Sequence, residues 1–320
     1  MYLSQSQLPD VRQPAIRDVI HPRVSRGGTA ELLKRTCWVP LVILSAVAFA
    51  IQSHLTPWQY MWANLFAVFA GCKWLTWCRA ADRVLQSGFW RAIVYLFAWP
   101  GMDSAAFFDR CARAKQPSVR RWIEAASKTI LGAVVLWGAA RFVPLNYPVL
   151  AGWVGMIGFA FLVHFGVFHL LALLWQSCGI DAQHVFRSPA LARSVSDLWG
   201  SRWNLAFRDL SHSLIFQPLV VRLGVAGASL AAFAASGLVH ELVISVPAGA
   251  GYGLPTVYFL IQWLGVIVER SPFGRRLGLR RGFGGWLFAL VVVAGPAWLL
   301  FHRPFVTGVM IPFMRAIGTF

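Results

Sequence analysis

Residues 198–247 read LWGSRWNLAFRDLSHSLIFQPLVVRLGVAGASLAAFAASGLVHELVISVP, a charged, tryptophan-rich segment followed by a long apolar run. Asn204 lies in the first part, and His240 and Glu241 lie in the apolar part. The run is long enough for a membrane-spanning helix, which takes about 20 residues. Because ionisable side chains are costly at membrane depth, such a pair is typical of a functional site. The stretch therefore predicts a membrane helix with chemistry near His240.

The composition extends this prediction to the whole chain. Of its 320 residues, 58% are hydrophobic and 13% charged, whereas about 25% are charged in a soluble domain. A net charge of +17 would favour nucleic acid in a soluble protein. Here the basic residues cluster in short loops between apolar runs, so we expect no nucleic-acid partner. The five cysteines lack CxxC or metal-like spacing and are interpreted as reduced packing residues.

The apolar runs give the expected order of helices. An interfacial or re-entrant helix is favoured at 89–100, which is too short to span and ends in Trp-Pro-Gly. The predicted fold is an all-α, polytopic integral membrane helix bundle with about seven to nine transmembrane or re-entrant helices. Residues 1–36 contain no apolar run and are expected to be a cytoplasmic segment. Because no internal repeat is present, residues 37–320 are expected to form a single domain. The predicted spans are 37–53, 58–77, 129–146, 148–176, 220–246, 252–269 and 284–302.

Charge asymmetry predicts the orientation. With a cytoplasmic N-terminus, 26 of the 29 Lys and Arg residues fall on the cytoplasmic side, and the turns SHLTP, PLNY and VPAGAGYG carry none. Arg outnumbers Lys by 25 to 4, which favours a GC-rich genome and a bacterial inner membrane. The segments counted as cytoplasmic, which hold these 26 basic residues, are 1–36, 73–128, 177–222 and 270–283.

His240 follows a run of small residues that let neighbouring helices approach closely, so we expect its helix inside the bundle. Gly237 and Ser236 lie three and four positions before His240, on the same helix face. Glu241 points about 100° away and needs its own partner. A neutral imidazole accepts a proton near neutral pH, which makes His240 a candidate base.

The loop before this helix supplies different chemistry. Its arginines suit phosphate groups, so a phosphorylated carrier is expected to dock there. Asn204 both donates and accepts hydrogen bonds and can hold a carbonyl or orient a nucleophile. The candidate binding residues are Trp199, Arg202, Trp203, Arg208 and Glu241, with Arg187 and Arg193 in the same basic loop.

Three motifs together carry a family resemblance. SPALARSVSDLWGSRWNLAFRD at 188–209 and SGLVHELVISVP at 236–247 resemble the wax synthase branch of the membrane-bound O-acyltransferase family, as does WPGMD at 99–103. The HE pair followed by SVP also resembles the diacylglycerol and sterol acyltransferase branch. The core motifs thus lie within 188–247.

The resemblance implies transfer of an acyl group from acyl-CoA to a hydroxyl in a chamber inside the membrane. His240 would be the general base and Asn204 would position donor or acceptor. It implies acyl-CoA as co-substrate, no metal or other cofactor, and a fatty alcohol as acceptor beside membrane lipid.

Other functions stay open at this point. Relatives of this branch also acylate or acetylate small hydroxylated metabolites, or lipids. A di-iron oxidase is suggested only by the HxxxxH pair His164 and His169, without the several His boxes such sites need. A transporter or scaffold without chemistry would also carry broken helices and a buried His-Glu pair, although no internal repeat is present.

Overall fold

The computed structural model describes residues 36–111, 114–144 and 146–320. Within these ranges the chain forms helices joined by turns, and no strand occurs in them. The predicted cytoplasmic segment 1–36 lies, apart from Thr36, outside the described residues. An all-helical bundle is therefore confirmed for the described part of the chain.

The described residues begin with a helical hairpin. Thr56 and Gln59 form a capping box that starts α2 directly after its turn. α1 packs along α2, and a Cβ on Gly71 would lie 2.5 Å from the Leu41 Cα, so glycine permits this close approach. The helices here are α1 (Val39–Ala50), α2 (Pro57–Arg79), α3 (Ala81–Ser87) and α4 (Phe89–Ala98), followed by a short helical turn, Ser104–Phe107.

Two longer helices follow and pack against each other: α5 (Val119–Phe142) and α6 (Pro148–Ser177). Gly132 of α5 lies against the backbone of Leu162. A Cβ on Gly158 of α6 would lie 2.6 Å from the Leu136 backbone nitrogen. Small residues on both helices thus let the two backbones touch, as is common between membrane helices.

The second half contains the helix of the central motif, α7 (Leu205–Ala248). It is followed by α8 (Leu254–Arg270), α9 (Gly282–Leu300) and a terminal helix, α10, at 303–316. The turn between α7 and α8 needs glycine: Gly251 has φ +75°, and a Cβ on it would meet the buried His302 ring at 2.5 Å. The main core cluster joins α2, the end of α7, α8, the end of α9 and α10.

Four of the described helices are long and apolar enough to cross a membrane: α5, α6, α7 and α9, with 24, 30, 44 and 19 residues. α1 and α4 are shorter apolar helices. The short helix predicted before the WPGMD turn is thus confirmed as α4, with 10 residues. These helices form a polytopic membrane bundle.

Two predicted boundaries were wrong. The third span was placed at 129–146, but α5 begins at Val119, since Ser118 has the extended backbone of a helix N-cap and Pro117 precedes it. The polar loop was placed at 177–217, but α7 begins at Leu205, so Arg208 and His212 lie on a helix. Both errors came from hydropathy, which marks the apolar part of a helix and misses its polar start.

The predicted location of α7 inside the bundle was also wrong. Only 6% of the residues in its most apolar 18-residue stretch are buried, against 28% in α6. Gly224, at φ 64° and ψ 179°, interrupts the helix. This conformation is open to glycine almost alone. Small residues allow contact on one face, where a Cβ on Gly237 would lie 2.8 Å from the Thr256 Cα, while Leu238 faces outward at 64% exposure.

The WPGMD turn is tied to α2 by a buried lysine. Lys73 donates to the Gly101 carbonyl and lies over the Tyr95 ring, 3.6 Å from its centroid. The Tyr95 hydroxyl in turn lies 2.7 Å from the Thr76 hydroxyl. Lys73 was counted among the cytoplasmic flanking charges, yet it is only 1% exposed. The Lys73 side chain therefore holds the turn from inside the bundle.

Candidate active site

His240 ends the regular part of α7, where a five-residue π-helical turn, Glu241–Ser245, begins. Such turns are frequent at functional sites. The Nδ1 atom lies 2.7 Å from the Ser236 carbonyl oxygen. Because a carbonyl only accepts, Nδ1 carries the proton and Nε2 keeps its lone pair. The half-buried imidazole thus has the tautomer that a general base at Nε2 requires.

Glu241 points to a different neighbour from His240, as its position on the helix predicted. One carboxylate oxygen accepts from the Thr256 backbone nitrogen at 3.0 Å and from its hydroxyl at 2.9 Å. Thr256 lies in the first turn of α8, where backbone amides are free and negative charge is favourable. Glu241 therefore joins α7 to α8.

Trp199 brings the tryptophan-rich segment next to His240. Its ring packs on Phe259, with centroids 5.6 Å apart, and Phe259 packs on the His240 ring at 4.6 Å. The Trp199 Nε1 donates to the Gln262 side-chain oxygen at 3.3 Å. A single phenylalanine ring thus separates the motif tryptophan from the imidazole.

Trp203, which precedes Asn204, packs in a different apolar cluster from Trp199. Trp203 packs on Phe186 at 5.2 Å, against the apolar cluster that Leu242 also contacts. Asn204 has the left-handed conformation, φ 43°, and is the N-cap of α7. Asn tolerates this region better than most residues. The segment therefore contacts both apolar clusters to which residues of the π-helical turn belong. The predicted convergence of Asn204 and His240 on one chamber stays a prediction.

Arg202 is occupied by the loop itself. Its Nε donates to the Asp197 carboxylate at 2.7 Å, and its Nη1 reaches the carbonyls of Arg187 and Ser188. Burial alone would raise the pKa of Asp197, but hydrogen bonds from Ser201, the Arg193 backbone and Arg202 outweigh it and lower that pKa. Arg208 forms an exposed pair with Asp209 at 3.0 Å. The substrate-binding roles predicted for both arginines stay predictions.

A buried carboxylate that sequence reasoning missed holds the segment in place. Glu269 of α8 is fully buried and accepts from the backbone nitrogens of Val195 at 2.7 Å and Ser196 at 3.0 Å. A single Glu near the end of an apolar helix was the available signal, but 74 residues separate it from Val195. The position of Trp199 thus depends on a contact with α8.

Replacing Glu269 by Gln should therefore loosen the segment. One acceptor oxygen becomes an NH₂ group facing a backbone N–H, which costs about 1–3 kcal/mol for an unsatisfied buried donor. We expect a lower melting temperature in detergent and faster proteolysis between Arg187 and Arg202. The matched control is Glu124→Gln on α5, an exposed residue that pairs with Lys128, and it should leave both readouts unchanged. Equal melting temperatures for Glu269→Gln and wild type would contradict this role.

No group of three or more His, Cys, Asp or Glu in the described ranges is arranged to hold a metal ion. His164 packs against Phe186, and His169 faces His184. The HxxxxH pair therefore has no further ligand set of the kind a di-iron site needs among these residues.

A family model matches the part of the chain that contains these residues. Residues 182–261 match the sequence model of the Membrane bound O-acyl transferase family. The long-chain-alcohol O-fatty-acyltransferase of Simmondsia chinensis is 32% identical over 134 residues, 38% of this chain and 38% of the relative. In Arabidopsis thaliana, a probable long-chain-alcohol O-fatty-acyltransferase 7 is 28% identical over 143 residues, 39% and 41% of the two chains. Acyl-CoA–sterol O-acyltransferase 1 of the same plant is 31% identical over 71 residues, which are 20% of this chain and 21% of the relative.

The matches thus span between about a fifth and two fifths of the length of these plant relatives. The bacterial inner membrane expected for this chain stays a prediction. Both motif residues, Asn204 and His240, fall inside the segment that matches the family. The three motifs, the helical membrane fold and these matches agree: the chain resembles the membrane-bound O-acyltransferase family, and within it the wax synthase-like branch.

Proposed function

We propose that this protein is an acyl-CoA-dependent O-acyltransferase that esterifies a long-chain alcohol within the membrane. The observation that carries the proposal is the free Nε2 of His240, whose ring is oriented by the Ser236 carbonyl and the Phe259 ring. The names of the plant relatives, two of them long-chain-alcohol O-fatty-acyltransferases, support an alcohol as acceptor.

His240 acts as a general base on the acceptor. Its Nε2 takes the proton from the alcohol hydroxyl while the oxygen attacks the thioester carbonyl carbon. The carbon–sulfur bond then breaks, and the coenzyme A thiolate leaves with the proton from the imidazolium. The ester and free coenzyme A are the products, and no redox partner is needed. Asn204 positions the donor or the acceptor for this attack.

The surroundings of His240 suit apolar substrates. The imidazole lies at the edge of the main core cluster, beside Phe259, and the adjacent lipid-facing positions are apolar, as Leu238 illustrates. A fatty alcohol dissolved in the bilayer can approach such a site laterally. A charged carrier arrives instead from the side of the basic loops, which we take to be cytoplasmic because most Lys and Arg lie there.

The assay uses the purified full chain in detergent micelles with radiolabelled long-chain acyl-CoA. We expect a labelled ester with a fatty alcohol, together with one free coenzyme A thiol per ester. Ester formation only with a small hydroxylated acceptor would correct the acceptor. Thiol release without ester would mean hydrolysis and overturn acyl transfer. Solute uptake into vesicles, with no ester from any alcohol, would favour the transporter.

A further inference from the structure

A second polar site lies away from His240, between the start of α5, the end of α6 and the loop at 183–188. It is a cavity of about 250 Å³. That volume is below the range of roughly 300–1,000 Å³ typical of pockets for drug-sized ligands. It therefore suits a small polar group better than an acyl chain.

Two histidines in its wall are buried and incompletely bonded. His169 and His184 are 6% and 9% exposed, and their ring centroids lie 4.2 Å apart at an interplanar angle of 58°. The His169 Nδ1 and the His184 Nε2 have no hydrogen-bond partner among the described residues. Unpartnered buried nitrogens are rare and point to a missing ligand or water.

The tautomer of His184 shows which kind of partner is missing. Its Nδ1 accepts from the Phe186 backbone nitrogen at 3.3 Å, so the proton of the neutral ring lies on Nε2. Burial lowers the pKa of His184 to about 3, and the charges of His169 and Lys128 act in the same direction, so the ring is neutral near pH 7. A residue of the cavity wall thus carries a buried N–H donor without an acceptor among the described residues.

The charges around the cavity favour an anion. Its lining contains three basic residues, Arg121, Lys128 and Arg187, and one carboxylate, Glu124. Glu124 pairs with Lys128 at 2.5 Å. Arg121 and Arg187 use only part of their donors, each on the side-chain oxygen of a glutamine. Two uncompensated guanidinium groups and an N–H donor disfavour a metal cation and match phosphate oxygens.

We propose that this cavity binds a phosphate group, with the guanidinium groups of Arg121 and Arg187 and the Nε2–H of His184 as donors. Two molecules at a membrane surface carry that chemistry: coenzyme A, through its 3′-phosphate and diphosphate, and an anionic phospholipid headgroup. The coenzyme A source rests on the proposed function; phosphate binding itself does not. Arg202 and Arg208 do not line the cavity, but Arg187 belongs to the basic loop first expected to bind a carrier, and Arg202 bonds the carbonyls of Arg187 and Ser188.

The test measures binding to the purified full chain by isothermal titration calorimetry. The ligands are coenzyme A, 3′-dephospho-coenzyme A, inorganic pyrophosphate and short-chain phosphatidic acid, with zinc chloride as a cation probe. The variants are Arg187→Gln and His184→Asn. Asn retains an acceptor for the Phe186 amide and removes the Nε2–H donor. Arg276→Gln, an exposed arginine outside the cavity, is the matched control.

We expect each cavity variant to weaken phosphate-ligand affinity about tenfold or more, the loss of one hydrogen bond to a charged group. Arg276→Gln should stay within the error of wild type. Equal affinities in all variants, or binding of zinc without phosphate ligands, would overturn the site. Variant-sensitive binding of phosphatidic acid without coenzyme A would support the phosphate site and overturn its coenzyme A source. If binding holds but no ester forms, the site stands and the proposed function falls.

Discussion

Replacing His240 by Ala is expected to lower ester formation about 10²- to 10⁴-fold, the usual contribution of a general base. The structure gives the reason: Nδ1 is held by the Ser236 carbonyl, and Nε2 is left with its lone pair. The initial rate of ester formation at saturating acyl-CoA measures the effect. The melting temperature in detergent should change little, because the ring is only half-buried and its hydrogen bond is to a carbonyl of its own helix.

Two further variants separate the base from a structural role. His240→Asn keeps a donor for the Ser236 carbonyl but has no basic nitrogen, so it should be as inactive as His240→Ala. His212→Ala is the matched control, since His212 lies on the same helix, is exposed, and stacks on Phe216. It should retain wild-type rates. A fully active His240→Asn variant would contradict the assignment of His240 as the general base.

Loss of the Asn204 amide should have the second largest effect. A donor aimed at a developing oxyanion is worth about 10²- to 10³-fold in rate. Asn204 also has the left-handed backbone conformation, with φ 43°, so two effects overlap in Asn204→Ala. Alanine loses the amide and strains the backbone, at a cost of roughly 1–2 kcal/mol.

Glycine separates these two effects, because it adopts the left-handed conformation freely. Asn204→Gly should keep the melting temperature of wild type and still lose activity, whereas Asn204→Ala should lose both. Initial rates and melting curves of the two variants, compared side by side, provide the measurement. If Asn204→Gly were fully active, the side chain would have no part in catalysis, and the residue would serve only to start α7.

Several features of the candidate site could be predicted from the sequence. Asn204, His240 and Glu241 stand out as polar residues beside or within apolar runs, and the separate partner of Glu241 follows from helix geometry. The partner itself, Thr256, could not be predicted, because it depends on how α7 and α8 cross. The same limit applies to Glu269, whose contact with Val195 joins distant parts of the chain.

The burial of charged residues was harder to predict. Lys73 has the same sequence environment as a cytoplasmic flanking lysine, yet the Gly101 carbonyl and the Tyr95 ring surround it. The small residues of α7 predicted a buried helix, but their pattern only permits close contact, and little of its apolar stretch is buried. Burial is a property of several elements together, so a single helix cannot reveal it.

Composition and local pattern alone determined that this chain is a helical membrane protein, roughly where its helices lie, and which motif residues are candidates for catalysis. Hydropathy, capping and short motifs act over a few residues and can be read directly along the chain. Tertiary structure alone decided the roles of the polar side chains. It left Nε2 of His240 free, used Arg202 and Glu269 to hold the loop, and brought His169 next to His184. These outcomes depend on contacts between separate elements, since a buried polar group is stabilised only by the partners that packing provides.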